Sequence, residues 1–184
     1  MSFRTKWIEM MHRAATGSRK TRTILTPVGL LIFFGAMVLL VVLARWVDGL
    51  LGFPKLFGSP WNVVVSVPIL VIGLFLVLWS NLRFLKVKGT PVPFNPPPKL
   101  VTTGPYAYAR NPMVTGVFLL LLGLGIFLGS ITLVFLLTPL VILLIVWELK
   151  AIEEPELEKR LGKEYVEYKN RVPMFFPWMK VRTK

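Results

Sequence analysis

The sequence contains no cysteine and a single histidine, His12, among its 184 residues. Without thiols the chain can form no disulfide, no zinc–thiolate site and no cysteine nucleophile. One histidine in a polar N-terminal segment supports neither a histidine metal cluster nor a Ser-His-Asp triad. We therefore predict no metal site and no triad-type hydrolase.

The sequence also lacks a strand–helix alternation and a Gly-x-Gly-x-x-Gly motif after a strand, which excludes a Rossmann nucleotide site. Gly123-Leu-Gly125 lies inside an apolar run and predicts a surface for close helix packing. Any cofactor must then bind between helix ends and loops.

Acidic residues are scarce: nine Asp and Glu stand against 22 Lys and Arg, for a net charge of +13. All the basic residues except Arg45 and Lys55 precede the first apolar run, lie between the second and third, or follow the fourth. The positive-inside rule therefore predicts that both termini and the central loop are cytoplasmic. The positive charge then faces an anionic leaflet, and no nucleic-acid partner is needed to explain it.

Hydrophobic residues make up 54% of the chain and are concentrated in four runs of about the length that spans a bilayer. We predict an all-α, polytopic membrane bundle with about four transmembrane helices. The predicted spans are residues 27–46, 61–82, 113–129 and 131–147. Gly129-Ser130 is the only link between the last two, which predicts a tight helical hairpin.

Two segments outside the predicted spans allow alternative interpretations. Residues 1–26 form a basic N-terminal segment, either an amphipathic helix on the membrane surface or a flank that only fixes topology. Residues 27–184 form the membrane domain, with a C-terminal cytoplasmic segment from residue 148. The proline-rich stretch Lys88–Lys99 favours a stiff extended path, which suits either a pocket wall or a rigid spacer.

The loop before the third span is the first candidate for chemistry. Arg110 and Asn111 precede Pro112, so Asn111 lies near a helix N-terminus, where free N–H groups favour an anion such as a carboxylate. The alternative is an ordinary helix start, with Tyr106 and Tyr108 in the aromatic belt and Arg110 reaching the interface.

The acidic pair Glu153-Glu154, just after the fourth span, is the second candidate. Carboxylates beside a bilayer are costly unless they have a partner, so this pair suits an ammonium group or ribose hydroxyls. The alternative is a solvated acidic helix start. Spacing makes Glu156–Arg160 favourable and Glu154–Glu158 repulsive, which favours a separate use for Glu154.

At these residues the chain resembles the membrane methyltransferases that include isoprenylcysteine carboxyl methyltransferase and the phospholipid N-methyltransferases. The resemblance covers roughly residues 80–178. It rests on Leu-Val-Thr-Thr-Gly-Pro-Tyr (100–106), Arg-Asn-Pro-Met (110–113), Glu-Glu-Pro (153–155) and Leu-Gly-Lys-Glu-Tyr-Val-Glu-Tyr-Lys-Asn-Arg-Val-Pro (161–173).

The resemblance implies an S-adenosylmethionine-dependent enzyme whose central loop and C-terminal helix form the cofactor site on the cytoplasmic face. Tyr165 and Tyr168 would belong to a motif that closes over it. The implied cofactor-binding residues are Leu100, Val101, Tyr106, Asn111, Pro112, Met113, Val114, Glu153 and Glu154.

The sequence departs from the family's pattern at two positions. Val114 stands where Tyr is usual, and Asn111 stands where the prenylcysteine enzymes have His. The acceptor therefore stays open among a phospholipid amine, a prenylcysteine carboxylate and a small thiol, and no pattern indicates an oligomeric state.

Methyl transfer from a sulfonium is a direct displacement that depends on positioning in a dry site rather than on a base. We expect the acceptor to enter from the bilayer and the donor from the cytoplasm, with Arg110 orienting the acceptor or stabilising charge. The alternative is a non-enzymatic four-span scaffold. A transporter is disfavoured because Asn62, Ser66, Ser80 and Thr138 are too few and too mildly polar.

Overall fold

The computed structural model describes residues 3–16, 19–87 and 99–175, and within these ranges every regular element is helical. The prediction of an all-α bundle is confirmed; the proline-rich stretch lies almost entirely outside the described residues. The α-helices are α1 (Phe3–Thr16), α2 (Arg19–Leu50), α3 (Trp61–Lys86), α4 (Pro112–Leu128), α5 (Thr138–Glu148), α6 (Glu154–Leu161) and α7 (Lys163–Arg171). A 3₁₀ turn covers Gly104–Ala107, and π-helical turns cover Leu133–Leu137 and Leu149–Glu153.

Three of the described helical runs are long and apolar enough to cross a membrane: Pro27–Leu50, Trp61–Lys86 and Leu133–Leu161. The fourth, α4, has 17 residues and rises about 26 Å, slightly less than a hydrocarbon core of about 30 Å. The spans start within two residues of the predicted positions, but three of them end later. These three predicted ends lie next to the first charged residue of each apolar run. The helices continue past it because a charged side chain leaves the backbone hydrogen bonds of a helix intact.

The largest difference is at the last span, which continues as one helical run to Leu161 instead of ending near Trp147. Each of its π-helical turns lies just before a proline, Pro139 or Pro155. A proline lacks the N–H and crowds the carbonyl four residues earlier, and a widened turn relieves that clash without ending the helix. Glu153 and Glu154 therefore lie within the continuing helix, not after it.

Glycines bring α3 and α4 into close contact. A Cβ on Gly116 would lie 2.7 Å from the Gly73 carbonyl oxygen, and one on Gly123 would lie 2.8 Å from Leu70. Gly125 similarly faces Val134, at the start of the next helical run. The predicted packing surface at Gly123 and Gly125 is confirmed, because larger residues there would force the backbones apart.

The end of the bundle at Gly129 and Ser130, here called the hairpin end, is held by polar groups. Gly129 has φ 65°, the left-handed conformation that ends α4, so the predicted tight hairpin is confirmed. The Ser130 hydroxyl donates to the Asp48 carboxylate, and the Thr132 N–H donates to the other Asp48 oxygen at 2.9 Å. The Asn62 amide donates to the Phe127 carbonyl at 2.9 Å.

One cluster of buried apolar side chains lies between α2 and the α4–α5 hairpin. Ala44, Leu121, Leu133 and Leu137 form it. Large apolar side chains elsewhere on α2 point outward; Leu31, for example, is 74% exposed. Outward apolar faces on long helices are what a lipid environment requires. The opposite end of the bundle, where α3 ends and α4 begins, is here called the site end.

Candidate functional site

The loop from α3 to α4 folds back against the end of α3. Gly104 has φ +67°, and a side chain there would collide with Arg83. This left-handed turn leads into the 3₁₀ turn and places the Tyr106 ring on Phe84, with centroids 5.0 Å apart and planes 22° from parallel. Val101 and Tyr106 are buried. The loop is therefore a packed wall of the site end.

Arg110 joins this loop to the C-terminal segment. Its Nη1 donates to the Lys169 carbonyl at 2.6 Å and to the Val172 carbonyl at 3.1 Å. Its Nη2 contacts Glu154 Oε1 at 2.7 Å. Its Nε is buried and has no hydrogen-bond partner within the part of the chain that the structure describes. Arg110 thus attaches α7 to the loop, and its Nε–H group remains available as a hydrogen-bond donor.

The backbone continues this attachment. The Arg110 N–H donates to the Pro173 carbonyl at 2.9 Å and the Asn111 N–H to the Met174 carbonyl at 3.0 Å. The Asn111 side-chain amide reaches the same Met174 carbonyl at 3.3 Å. The N–H groups of Arg110 and Asn111 and the Asn111 side-chain amide therefore bond to the C-terminal segment of the chain.

Tyr168 completes the closure of α7 over the loop. Its hydroxyl donates to the Tyr106 carbonyl at 2.6 Å, and Tyr165 and Tyr168 are both buried. Phe175 lies against Phe118 of α4, with centroids 5.9 Å apart. The C-terminal segment is therefore an integral wall of the site.

The two adjacent glutamates have different environments, and Glu154 is the paired one. Its Oε1 contacts Arg110, and its Oε2 lies 2.8 Å from the Lys169 ammonium. Lys169 also lies 2.9 Å from Glu158, which neutralises the Glu154–Glu158 repulsion noted in the sequence. Two cations and two carboxylates make this network neutral. In the structure, the carboxylate of Glu154 is used in this ion-pair network.

Glu153 is half-buried, and its carboxylate has no ion pair or hydrogen bond to any described residue. Burial raises the pKa of Tyr106 and of Tyr165 above the usual tyrosine value, and the negative charge of Glu153 adds to both shifts. The carboxylate thus lies within electrostatic reach of two aromatic side chains. An unpaired carboxylate suits a cationic ligand such as an ammonium or a sulfonium.

The predicted site residues all lie at the site end. The structure brings Arg110 into contact with Glu154. Pro112 is fully buried, while Leu100, Met113 and Val114 are half-buried. The expected Glu156–Arg160 pair is present at 3.0 Å.

Sequence reasoning missed Lys169 and Phe84, which complete the ion-pair network and the Tyr106 stack. The repulsive Glu154–Glu158 spacing was the one signal that a shared cation was needed. No group of three or more His, Cys, Asp or Glu side chains in the described ranges could hold a metal ion.

Comparison with known proteins adds two findings. A model of the family described as phospholipid methyltransferase matches residues 61–164, which run from the start of α3 to the start of α7. The chain is also 32% identical over 127 residues to the nickel-cobalt-cadmium resistance protein NccN of Alcaligenes xylosoxydans xylosoxydans. That alignment covers 65% of this chain and 55% of the relative, so the chain spans about half of that protein. No solved structure matches the chain significantly.

Proposed function

The chain belongs to the phospholipid methyltransferase family, and we propose that it transfers a methyl group from S-adenosylmethionine to a lipid-like acceptor at the membrane surface. The observation that carries the proposal is Glu153, a half-buried carboxylate without an ion pair to any described residue, whose neighbours Glu154 and Glu156 are both paired. The acceptor class is a phospholipid amine or an isoprenylcysteine-like carboxylate. The basic residues on the same side of the predicted topology support a cytoplasmic site and cytoplasmic termini.

The residues at the site end fit the donor. S-adenosylmethionine carries an amino group and ribose hydroxyls, and we assign the contact with one of these to Glu153. Leu100, Val101, Tyr106, Asn111, Pro112, Met113 and Val114 would supply the rest of the pocket. Glu154 is assigned a positioning role, because its two oxygens already contact Arg110 and Lys169.

When bound, S-adenosylmethionine supplies a methyl group activated by a sulfonium. The protein's contribution is then to orient the two reactants and to exclude water, which supplies much of the rate of a direct displacement. A carboxylate or a neutral amine has a free lone pair and needs no general base, whereas an ammonium must first release a proton to water before the methyl group is transferred. The buried Arg110 Nε is the donor that we assign to the acceptor's negative charge.

The test is calorimetry of S-adenosylmethionine and its demethylated product on detergent-purified protein. Glu153→Gln removes the negative charge and should weaken binding about tenfold, the effect of losing about 1.4 kcal/mol. Glu164→Gln, an exposed carboxylate on α7, is the matched control and should bind as the wild type does. Unchanged binding and turnover in Glu153→Gln would reject the proposal, and the absence of any donor binding would favour the non-enzymatic scaffold.

The acceptor requires a separate experiment. We expect the purified protein to transfer labelled methyl groups to a component of a lipid extract rather than to small thiols. Screening lipid extracts, prenylcysteine analogues and thiols in parallel separates the three classes. Methylation confined to thiols would overturn the assignment of a lipid-like acceptor.

A second candidate function comes from the relative named as a nickel-cobalt-cadmium resistance protein. We propose that methylation by this chain contributes to metal resistance by modifying a membrane component. Expression in a metal-sensitive host should improve growth in nickel, cobalt or cadmium, and Glu153→Gln should not. Equal protection by the variant would separate resistance from methyl transfer.

A further inference from the structure

The N-terminal helix α1 packs at the site end, against α6 and the π-helical turn Leu149–Glu153. Four of its residues, Lys6, Glu9, Met10 and Arg13, line an open cavity of about 280 Å³. Their spacing of three, four and seven residues puts them on one face of the helix. We call this face the α1 groove.

The groove carries unpaired positive charge. Lys6 and Arg13 are exposed, and neither forms an ion pair with a described residue. Glu9 also lines the groove, so the charge of the four side chains is +1. Met10 in the groove is 47% exposed, and the neighbouring Trp7 is 39% exposed. A basic face with exposed apolar and aromatic side chains is typical of helices at a bilayer surface.

The position of α1 brings the groove to the interface. Helix α2 begins at Arg19, three residues after α1 ends, and its apolar run starts at Pro27. Helix α1 also contacts α6, which continues from the apolar α5 through the π-helical turn Leu149–Glu153. Helix α1 therefore lies near the ends of two apolar helical runs, at the level where each leaves the hydrocarbon core. From there the charged ends of Lys6 and Arg13 can reach lipid headgroups while their alkyl chains lie along apolar surface.

We propose that the α1 groove binds the phosphate headgroups of anionic phospholipids and that this binding stabilises α1 against the site. Lys6 and Arg13 are the phosphate ligands, and Glu9 limits the affinity. Helix α1 contacts the π-helical turn that ends at Glu153. Binding of anionic lipid to α1 therefore stabilises the side of the site that this turn forms. The proposal does not depend on the identity of the reaction catalysed there.

Hydrogen exchange of α1 in the full-length protein tests this, in nanodiscs of phosphatidylcholine alone or with phosphatidylglycerol. One net positive charge near an anionic surface predicts about fivefold slower exchange of α1 amides in the anionic discs. Lys6→Gln/Arg13→Gln should lose the slowing, and Glu9→Gln should increase it. Lys159→Gln/Lys163→Gln, which removes two exposed lysines at the same end, should keep it.

Three outcomes would overturn the proposal: equal exchange in both kinds of disc, equal loss in the Lys159/Lys163 control, or the same slowing in neutral discs given inorganic phosphate. The last would indicate a soluble phosphate ligand instead of lipid. Lys6→Arg/Arg13→Lys, which keeps the charges, should behave as the wild type and separates charge from a folding defect. No methyl donor is present, so the result is independent of the proposed methyltransferase activity.

Discussion

Both ends of the bundle contain buried carboxylates, but within the described ranges only the site end has a half-buried carboxylate without a partner. At the hairpin end, Asp48 accepts hydrogen bonds from Ser130 and Thr132 and caps the start of the last helical run. At the site end, Glu154 is equally well satisfied, but its neighbour Glu153 is not. The hydrogen bonds of Asp48 and the ion pairs of Glu154 stabilise the fold, whereas the carboxyl group of Glu153 is available for a ligand.

The largest effect on stability should come from breaking the Arg110 network. Arg110→Ala removes the charge beside Glu154 and leaves the Lys169 and Val172 carbonyls without this donor. Breaking a buried ion pair typically costs about 3–5 kcal/mol. We expect a lower unfolding temperature in detergent and faster proteolysis between α7 and residue 175.

Arg171→Ala is the matched control, because Arg171 is exposed and bonds only within α7, to the Glu167 carbonyl. It should leave both the unfolding temperature and the proteolysis rate unchanged. If Arg110→Ala unfolds and is cleaved as the wild type is, then the C-terminal segment is not held by this network.

Asp48→Ala should have the next largest effect and should sharpen the contrast between the two ends. Losing hydrogen bonds to a charged carboxylate costs about 1.5–3 kcal/mol. Unfolding temperature should fall, while donor binding measured by calorimetry at a folded temperature stays unchanged. Leu50→Ala, an exposed position on the same helix, controls for the location. A selective loss of donor binding in Asp48→Ala would contradict the division between a structural end and a functional end.

The sequence was sufficient for the features that depend on local pattern. Apolar length predicted the spans, Gly129-Ser130 predicted the hairpin, and Gly123 and Gly125 predicted close packing. Charge distribution and motif order also predicted that the candidate residues lie at one end of the bundle. The spans, the hairpin and the close packing are each encoded within a few neighbouring residues or within one helical run.

The features that could not be predicted depend on residues far apart in the sequence. Arg110 and Glu154 are 44 residues apart, and Asp48 and Ser130 are 82 apart. No periodicity connects such pairs, so the different roles of Glu153 and Glu154 became visible only in three dimensions. The continuation of the last helix past Glu148 was missed because charges and Pro155 suggested an end, whereas a π-helical turn accommodates the proline.

The smallest effect concerns the outermost part of the network and should appear only at high pH. Lys169 bonds to Glu154 and to the partly exposed Glu158, and these two contacts raise the pKa of its ammonium above the usual value of 10.5. A raised pKa in the folded state means that the contribution to stability is complete below about pH 10.5 and is lost as the pH rises through the higher folded value. We therefore expect the difference in unfolding temperature between the wild type and Lys169→Gln to be constant from pH 7 to 9 and to shrink above pH 10.5.

Lys163→Gln, which changes an exposed lysine on the same helix, should show no such convergence with the wild type. A difference that persists to pH 12 would mean that Lys169 acts through the packing of its side chain and not through its charge.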